Sequence, residues 1–228
     1  MDGDRPTGAE GPLVFVADVE QPELDDADRH HLRKALRLRS GDGLVVSDGA
    51  GAWRSARFGE ELAPEGEVVR VPRPDPPLTV GLTPTKGDRP EWAVQKLTEL
   101  SVDRIVVLRT ERSVVRWDEE RAASHLERLR RIAREAAMQS RQVWLPEVEG
   151  VATPADLPDA PLADRDGRPP AAGDTVLLCG PEGGWSDAER AEPRDHVALG
   201  PAVLRAETAA VTAGALLVAL RHGVVRPA

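Results

Sequence analysis

Gly180-Pro181-Glu182-Gly183-Gly184 puts three glycines and one carboxylate into a single short loop. A second loop, Leu199-Gly200-Pro201-Ala202-Val203-Leu204-Arg205, ends in a cation and is followed at once by Glu207. Glycine lets the main chain approach a ligand without a Cβ in the way, so the pattern suits a small planar molecule held largely by backbone N–H and C=O groups. No Lys-Ser or Lys-Thr follows the first loop, and its spacing is not G-x-G-x-x-G, so a phosphate cradle is the weaker reading. Two tight strand-to-helix turns that need glycine for geometry alone fit the same residues, and both readings stay open at this stage.

Both loops must be delivered by regular elements. The apolar run Thr175 to Cys179 predicts a strand entering the first loop, and Ser186 followed three residues later by Glu189 predicts a capped helix leaving it. His196 to Leu199 predicts a short strand entering the second loop, which leaves through an almost wholly apolar helix, Ala206 to His222, closed by Gly223. Two strand ends therefore present two loops side by side, which is where open α/β sheets bind ligands.

The remaining chain supplies the frame. Met1 to Pro12 is polar and rich in Gly, Pro and acids, and predicts a disordered leader. Leu13 to Val16, Leu44 to Ser47, Trp53 to Phe58 and Gly66 to Val71 predict strands, the middle pair joined by a hairpin turn at Asp48-Gly49-Ala50-Gly51. Asp28 is the expected cap of a short helix, so residues 13–71 predict a small β-rich barrel. Four prolines between Pro72 and Pro77 interrupt any helix or central strand and mark a stiff linker over 72–77. Residues 78–228 predict a second domain. Leu78 to Thr83, Arg104 to Arg109 and Val143 to Val148 add three strands, with helices near Pro90 to Leu100 and over Glu119 to Arg141. Gly150 to Asp174, loaded with Pro, Ala, Asp and Gly, predicts a long irregular connection. Five short apolar strands alternating with helices make this domain α/β, with a mainly parallel sheet.

Composition bounds the function. A chain of 228 residues with 40% hydrophobic content can build a real core. Its one cysteine, Cys179, cannot form an internal disulfide, fits a reducing compartment and sits in an apolar strand, as a core residue rather than a nucleophile. No signal peptide or spanning segment is visible, so the cytoplasm is the expected compartment. A net charge of −9 argues against indiscriminate coating of nucleic acid. Charge is uneven, however: acids crowd Asp18 to Asp28, whereas Arg29, His30, His31, Arg33, Lys34, Arg37 and Arg39 form a run without an acid. That run reads either as a basic patch or as a solvated helix face. His30 and His31 do not read as metal ligands, since sequence neighbours diverge and no Cys or third His is near.

Gly180-Pro181-Glu182-Gly183-Gly184 together with Leu199-Gly200-Pro201-Ala202-Val203-Leu204-Arg205-Ala206-Glu207-Thr208-Ala209 closely resembles the signature of the SPOUT methyltransferases. Within them it is similar to the family that methylates N3 of a uridine in 16S ribosomal RNA, with a place in rRNA processing and ribosome biogenesis. The resemblance implies a PUA-like RNA-binding first domain, whose pattern His31 to Leu38 and Asp48-Gly49 matches. It also implies a trefoil knot in the second domain and a homodimer that completes the site. Lys86-Gly87 and the run Gln95 to Leu100 resemble a family segment on the RNA-facing side, with Ser101 where Gly is usual. Thr110-Glu111-Arg112-Ser113 resembles the family's Ser/Thr-Glu-Arg loop. The helix end Ala137-Met138-Gln139-Ser140-Arg141-Gln142 departs from the pattern, because Met138 replaces an acid and Gln142 stands where Arg is usual. If the missing Arg contacts phosphate, Arg141 must substitute for it.

The donor so implied is S-adenosylmethionine, with no metal. Its expected contacts are Thr83 or Pro84, Gly180 to Gly184, Leu199, Gly200, Pro201, Leu204, Thr208 and Ala209. Uracil N3 carries a proton and is a poor nucleophile until that proton leaves, so a base or a group that stabilises charge on the flanking carbonyls is required. Arg205 is the expected chemical group and Glu207, at a helix N-terminus that favours a carboxylate, the positioning one, with Glu182 and Glu111 behind them. An Arg205–Glu207 pair that merely holds the loop fits equally. RNA contacts are expected from Arg29, His31, Arg33, Lys34, Arg37, Lys86, Arg112, Gln139, Ser140 and Arg141. The alternatives are a SPOUT enzyme acting on transfer RNA or ribose 2′-hydroxyl, and a non-catalytic RNA-binding assembly factor.

Overall fold

A computed structural model describes residues 5–115, 117 and 119–225, so the first four residues of the expected leader lie outside it. The chain forms two compact units. The first comprises Met1–Asp75 with Arg134–Leu145, and the second Pro76–Ala133 with Pro146–Ala228. The segment Arg134–Leu145, assigned from sequence to the second domain, is thus part of the first unit.

The first unit is built on β1 (Leu13–Phe15), α1 (Asp26–Lys34), β2 (Gly43–Ser47), β3 (Ala52–Arg57) and β4 (Ala63–Arg70). The strands form one sheet in the order β1-β2-β3-β4, in which β1 is parallel to β2 and the other pairs are antiparallel. The pairing is linear, with no β4–β1 pair among the described residues. Alternate positions feed two cores: Val14, Leu44, Val46 and Ala56 pack with Leu32 of α1, while Leu13, Phe15, Val45 and Trp53 pack with Ala137 and Val143. The β2–β3 turn is held by Asp48, whose carboxylate accepts from the amides of Ala50 at 2.7 Å and Ala52 at 3.0 Å.

Two local expectations are corrected here. Asp25, not Asp28, caps α1, accepting from the Asp28 amide at 2.6 Å. Asp28 instead lies buried against Arg134, which donates to it at 3.0 and 2.6 Å and to the Phe15 carbonyl at 3.1 Å. The bidentate contact raises the Arg134 pKa. The described part of the leader is also ordered. Glu10 accepts from Thr7 and the Gly8 amide, and Arg141 donates to the Gly11 carbonyl at 2.6 Å.

The second unit contains β5 (Thr79–Leu82), α2 (Arg89–Glu99), β6 (Arg104–Leu108), the first part of α3 (Glu119–Gln139), β7 (Glu147–Ala152), β8 (Leu162–Arg168), β9 (Val176–Cys179), α4 (Asp187–Ala191), β10 (His196–Val197) and α5 (Ala206–Arg221). All its strand pairs are parallel, in the order β10-β8-β9-β5-β6-β7. One face carries Val80, Leu82, Ile105, Val107 and Leu177, which pack with Leu97 of α2, Leu129 of α3 and Leu217 of α5. The opposite face carries Val106, Leu108, Leu162 and Leu178, which pack with Trp185 and Ala160.

Strand β8 lies inside Gly150 to Asp174, the stretch read as irregular. It is polar, and only Leu162 and Asp164 are buried along it, so it carries almost no period-two signal. The preceding strand begins at Glu147 rather than Val143, because Val143 is drawn into the core of the first unit. After α2, Ser101 adopts φ +66, the left-handed conformation that glycine takes more comfortably.

The topology sets the site. From central β5 the chain runs outward through β6 and β7, then crosses to β8 and β9 on the other side of β5. Leu82 of β5 pairs with Cys179 of β9, so the loops after them leave the sheet as neighbours at a switch point.

Candidate active site

The glycine loop begins one residue beyond that pairing. A Cβ at Gly180 would lie 3.0 Å from the indole of Trp185, tighter than ordinary contact, so glycine lets the loop settle onto this buried ring without displacing it. Trp185 donates from Nε1 to the Ala163 carbonyl at 2.9 Å and so fixes the loop to β8. Gly184 closes the turn at φ +67 with its amide on the Pro181 carbonyl at 2.8 Å. The chain then enters α4 through the predicted capping box. Ser186 Oγ accepts from the Glu189 amide at 3.1 Å, and Glu189 accepts from the Ser186 amide at 2.8 Å.

The second loop comes alongside. A cleft of about 240 Å³ is lined by Gly180, Pro181, Glu182 and Gly184 from the first loop and by Leu199, Gly200, Leu204 and Ala209 from the second loop and α5. These expected ligand residues are brought together. Thr83, Pro84, Gly183, Pro201 and Thr208 do not line this cleft, although Thr83 is buried one residue beyond β5 with its hydroxyl unpaired among the described residues. Sequence reasoning missed Ala163, Asp164 and Arg165, which complete the wall. They belong to the unrecognised strand β8. Asp164 is buried there, pairs with Arg190 and lies 3.5 Å from His196 Nδ1.

A second, more open cleft of about 550 Å³ adjoins the first, sharing Val203 and Leu204. Its other lining residues are Asp88, Arg89 and Trp92 around the start of α2, with Arg205, Glu207 and Thr208. Arg205 is the exposed N-cap residue of α5 and has no side-chain partner among the described residues. It is therefore not paired with Glu207. The partner of Glu207 is Arg89, 3.7 Å away, and Arg89 also stands 3.7 Å from Glu182 of the glycine loop. Glu207 is 11% exposed, and its Oε2 is buried with no hydrogen-bond partner among the described residues. Arg89 carried no signal beyond its place at a helix start.

The Thr110 to Ser113 loop braces the first cleft. Arg112 donates to the carbonyls of Trp185 at 2.9 Å and Gly183 at 3.3 Å, and Glu189 accepts from the Glu111 amide at 3.0 Å. Arg112, expected on RNA, thus holds the glycine loop. Lys86 is exposed. In the first unit, Arg29 donates to the Gly59 carbonyl at 2.9 Å and Arg33 lies over the Phe58 ring at 5.7 Å, while His31, Lys34 and Arg37 are exposed. Gln139 is exposed, Ser140 bonds back to the Ala136 carbonyl at 2.7 Å, and Arg141 is engaged by Gly11. Full burial pushes the Cys179 thiol up to about 12, which removes it as a nucleophile.

Comparison with known proteins fits this geometry. A family profile described as an RNA methyltransferase domain matches residues 72–218, and one described as an RNA methyltransferase PUA domain matches residues 24–61. The chain is 34% identical to ribosomal RNA small subunit methyltransferase E of Mycobacterium bovis, covering 83% of each chain. It is 33% identical to the protein of the same name from Synechocystis, covering 86% of this chain and 72% of the relative. Among solved structures, the Neisseria gonorrhoeae ribosomal RNA small subunit methyltransferase E bound to S-adenosylmethionine superposes with a TM-score of 0.72 at 26% identity, covering 92% of this chain and 97% of that one.

Proposed function

Because the chain belongs to the ribosomal RNA small subunit methyltransferase E family, we propose that it transfers a methyl group from S-adenosylmethionine to N3 of a uridine in 16S rRNA. It is an S-adenosylmethionine-dependent rRNA methyltransferase. The observation that carries the reading for its own residues is the cleft walled jointly by Gly180 to Gly184 and Leu199 to Leu204.

These residues fit the donor. Pro181, Leu199, Val203 and Leu204 offer apolar walls to a purine, the glycine-rich main chain offers donors and acceptors to its edge, and the exposed Glu182 puts negative charge at the rim beside a cationic ligand. When bound, S-adenosylmethionine supplies a methyl group on a sulfonium that carries its own leaving group. The protein's part is then alignment and charge. Arg205, exposed beside the shared wall with no side-chain partner among the described residues, stabilises the negative charge that develops on a uracil carbonyl oxygen as N3 passes its proton to water. Glu207 positions the acceptor. Gly180, Pro181, Glu182, Gly184, Leu199, Gly200, Leu204 and Ala209 hold the donor, with Gly183 anchored by Arg112. His31, Lys34 and Arg37 of the first unit meet RNA phosphates.

The family resemblance extends the proposal to a trefoil knot around the β9 and β10 loops and to a homodimer. Support for the dimer lies in α5, where Glu207 and Arg221 are the only charged residues and Val211, Leu216 and Val218 remain half-buried. Light scattering should then give twice the 24.6 kDa chain mass.

Two measurements test the function. Calorimetry should detect S-adenosylmethionine binding to the purified chain; no binding would overturn the donor assignment. Mapping methylated nucleotides in bulk RNA from a deletion strain should reveal one lost N3-methyluridine in 16S rRNA. A lost mark in transfer RNA or at a ribose 2′-hydroxyl would overturn the substrate assignment.

A further inference from the structure

We propose that Arg165 binds the α-carboxylate of the donor and so makes the first cleft selective for an adenosyl ligand that carries an intact amino acid. The inference rests on the methyltransferase reading and adds to it a residue that no motif of the chain marks. S-adenosylmethionine bears positive charge on sulfur and on its α-amino group, negative charge only on its α-carboxylate, and none on its adenosine. A cleft that holds it is served by one cation able to meet that carboxylate. Among the described residues, four charged side chains line the cleft: Asp164 and Arg165 of β8, Glu182 of the glycine loop and Arg190 of α4. Asp164 and Arg190 are bonded to each other, so their charges offset. Arg165 is the remaining cation. Its ion-pair contact is with Asp166 at 3.8 Å, and the two side chains are 65% and 76% exposed. A surface contact of that kind contributes little and gives way readily to a better partner.

The strand fixes where this cation stands. Asp164 is tied to Arg190, lies 3.5 Å from His196 Nδ1 of β10 and accepts from the Asp166 amide at 3.2 Å, so the backbone on both sides of Arg165 is held. Arg168 secures the end of β8 by donating to Asp174 at 2.7 Å and to Asp195 at 3.0 Å. A guanidinium carried on an anchored backbone presents a planar fork of N–H donors, which matches a carboxylate through two parallel hydrogen bonds. Lysine in its place would bring the charge without the fork.

The test is a calorimetric titration of the full-length protein with S-adenosylmethionine, with its decarboxylated form, and with 5′-methylthioadenosine, which lacks the whole amino-acid portion. The wild type should bind S-adenosylmethionine about tenfold or more tightly than the decarboxylated form. Arg165→Gln should bring those two affinities close together while 5′-methylthioadenosine binds as it does to the wild type, and Arg165→Lys should keep part of the preference. Equal weakening of all three ligands in Arg165→Gln would mark a merely structural residue and overturn the proposal. A variant with normal donor affinity but weakened binding to small-subunit rRNA would assign Arg165 to phosphate and overturn it as well, leaving the methyltransferase reading intact. If none of the three ligands binds the wild type, that reading falls and the proposal falls with it.

Discussion

Arg89 and Glu207 stand 3.7 Å apart, one at the start of α2 and the other in the first turn of α5. Arg89 reaches Glu182 of the glycine loop at the same distance, so one guanidinium ties both clefts together. At 43% exposure such a pair contributes little to stability, on the order of 0–1 kcal/mol. Its role is placement. Arg89→Met should therefore melt within a few degrees of the wild type yet lose about tenfold or more in kcat/KM on small-subunit RNA. Steady-state kinetics beside a thermal melt check this, and a variant of normal activity would remove Arg89 from the site.

Gly180 and Gly183 of the first loop should respond differently. A Cβ on Gly180 meets Trp185 at 3.0 Å, whereas one on Gly183 meets only Arg112 Cβ at 3.6 Å, ordinary contact. Gly180→Ala should weaken donor binding by at least about tenfold, because either the loop or the indole must shift. Gly183→Ala should bind nearly normally. Calorimetric titration of both variants decides, and the reverse order of sensitivity would contradict the loop geometry.

Ser101 offers a stabilising change. Its φ of +66 strains a residue with a Cβ, while its amide still donates to the Thr98 carbonyl at 2.8 Å and Val102 to Leu97 at 3.1 Å, closing α2. Ser101→Gly relieves that strain at a slight entropic cost and should add about 0.5–1 kcal/mol. Urea denaturation should show a higher midpoint at unchanged slope.

Acid should act through two carboxylates. Hydrogen bonds from Arg168 hold Asp174 below its ordinary 3.8, and those from Arg104 hold Glu149 below its ordinary 4.5. Both native values are depressed, so each pair's stabilisation is fully present above about pH 4–5 and is lost as pH falls through the lowered native values. Asp174→Asn should lower stability at pH 7 but narrow the loss between pH 7 and pH 3. Denaturant midpoints across that range test it; an unchanged pH slope would discount the Arg168 contact.

Much of the site was legible because it is local. The glycine loop, the Ser186 to Glu189 capping box and the apolar helix after Arg205 each express a rule within a few neighbouring residues. Strand β8 was not legible, since its polar residues form a strand only through pairing with β9 and β10. The family pattern assigns Arg112 and Arg141 to RNA; that each also donates to a backbone carbonyl of another segment is a contact no local pattern reveals. That Ala137 and Val143 cover one face of the first unit's sheet was not legible either, because they come from a distant segment of the chain.

The sequence by itself determined the α/β second domain and the two glycine-containing loops, because these depend on hydrophobic period and glycine placement, and its motifs carried the family resemblance that implies the donor. Only the tertiary structure decided that Asp164 walls the donor cleft, that Glu207 pairs with Arg89 rather than Arg205, and that Trp92 lines an open cleft beside them. Those relations join positions far apart in the chain, and parallel pairing, together with helices packed over one sheet face, sets their distances. No pattern of neighbours encodes them.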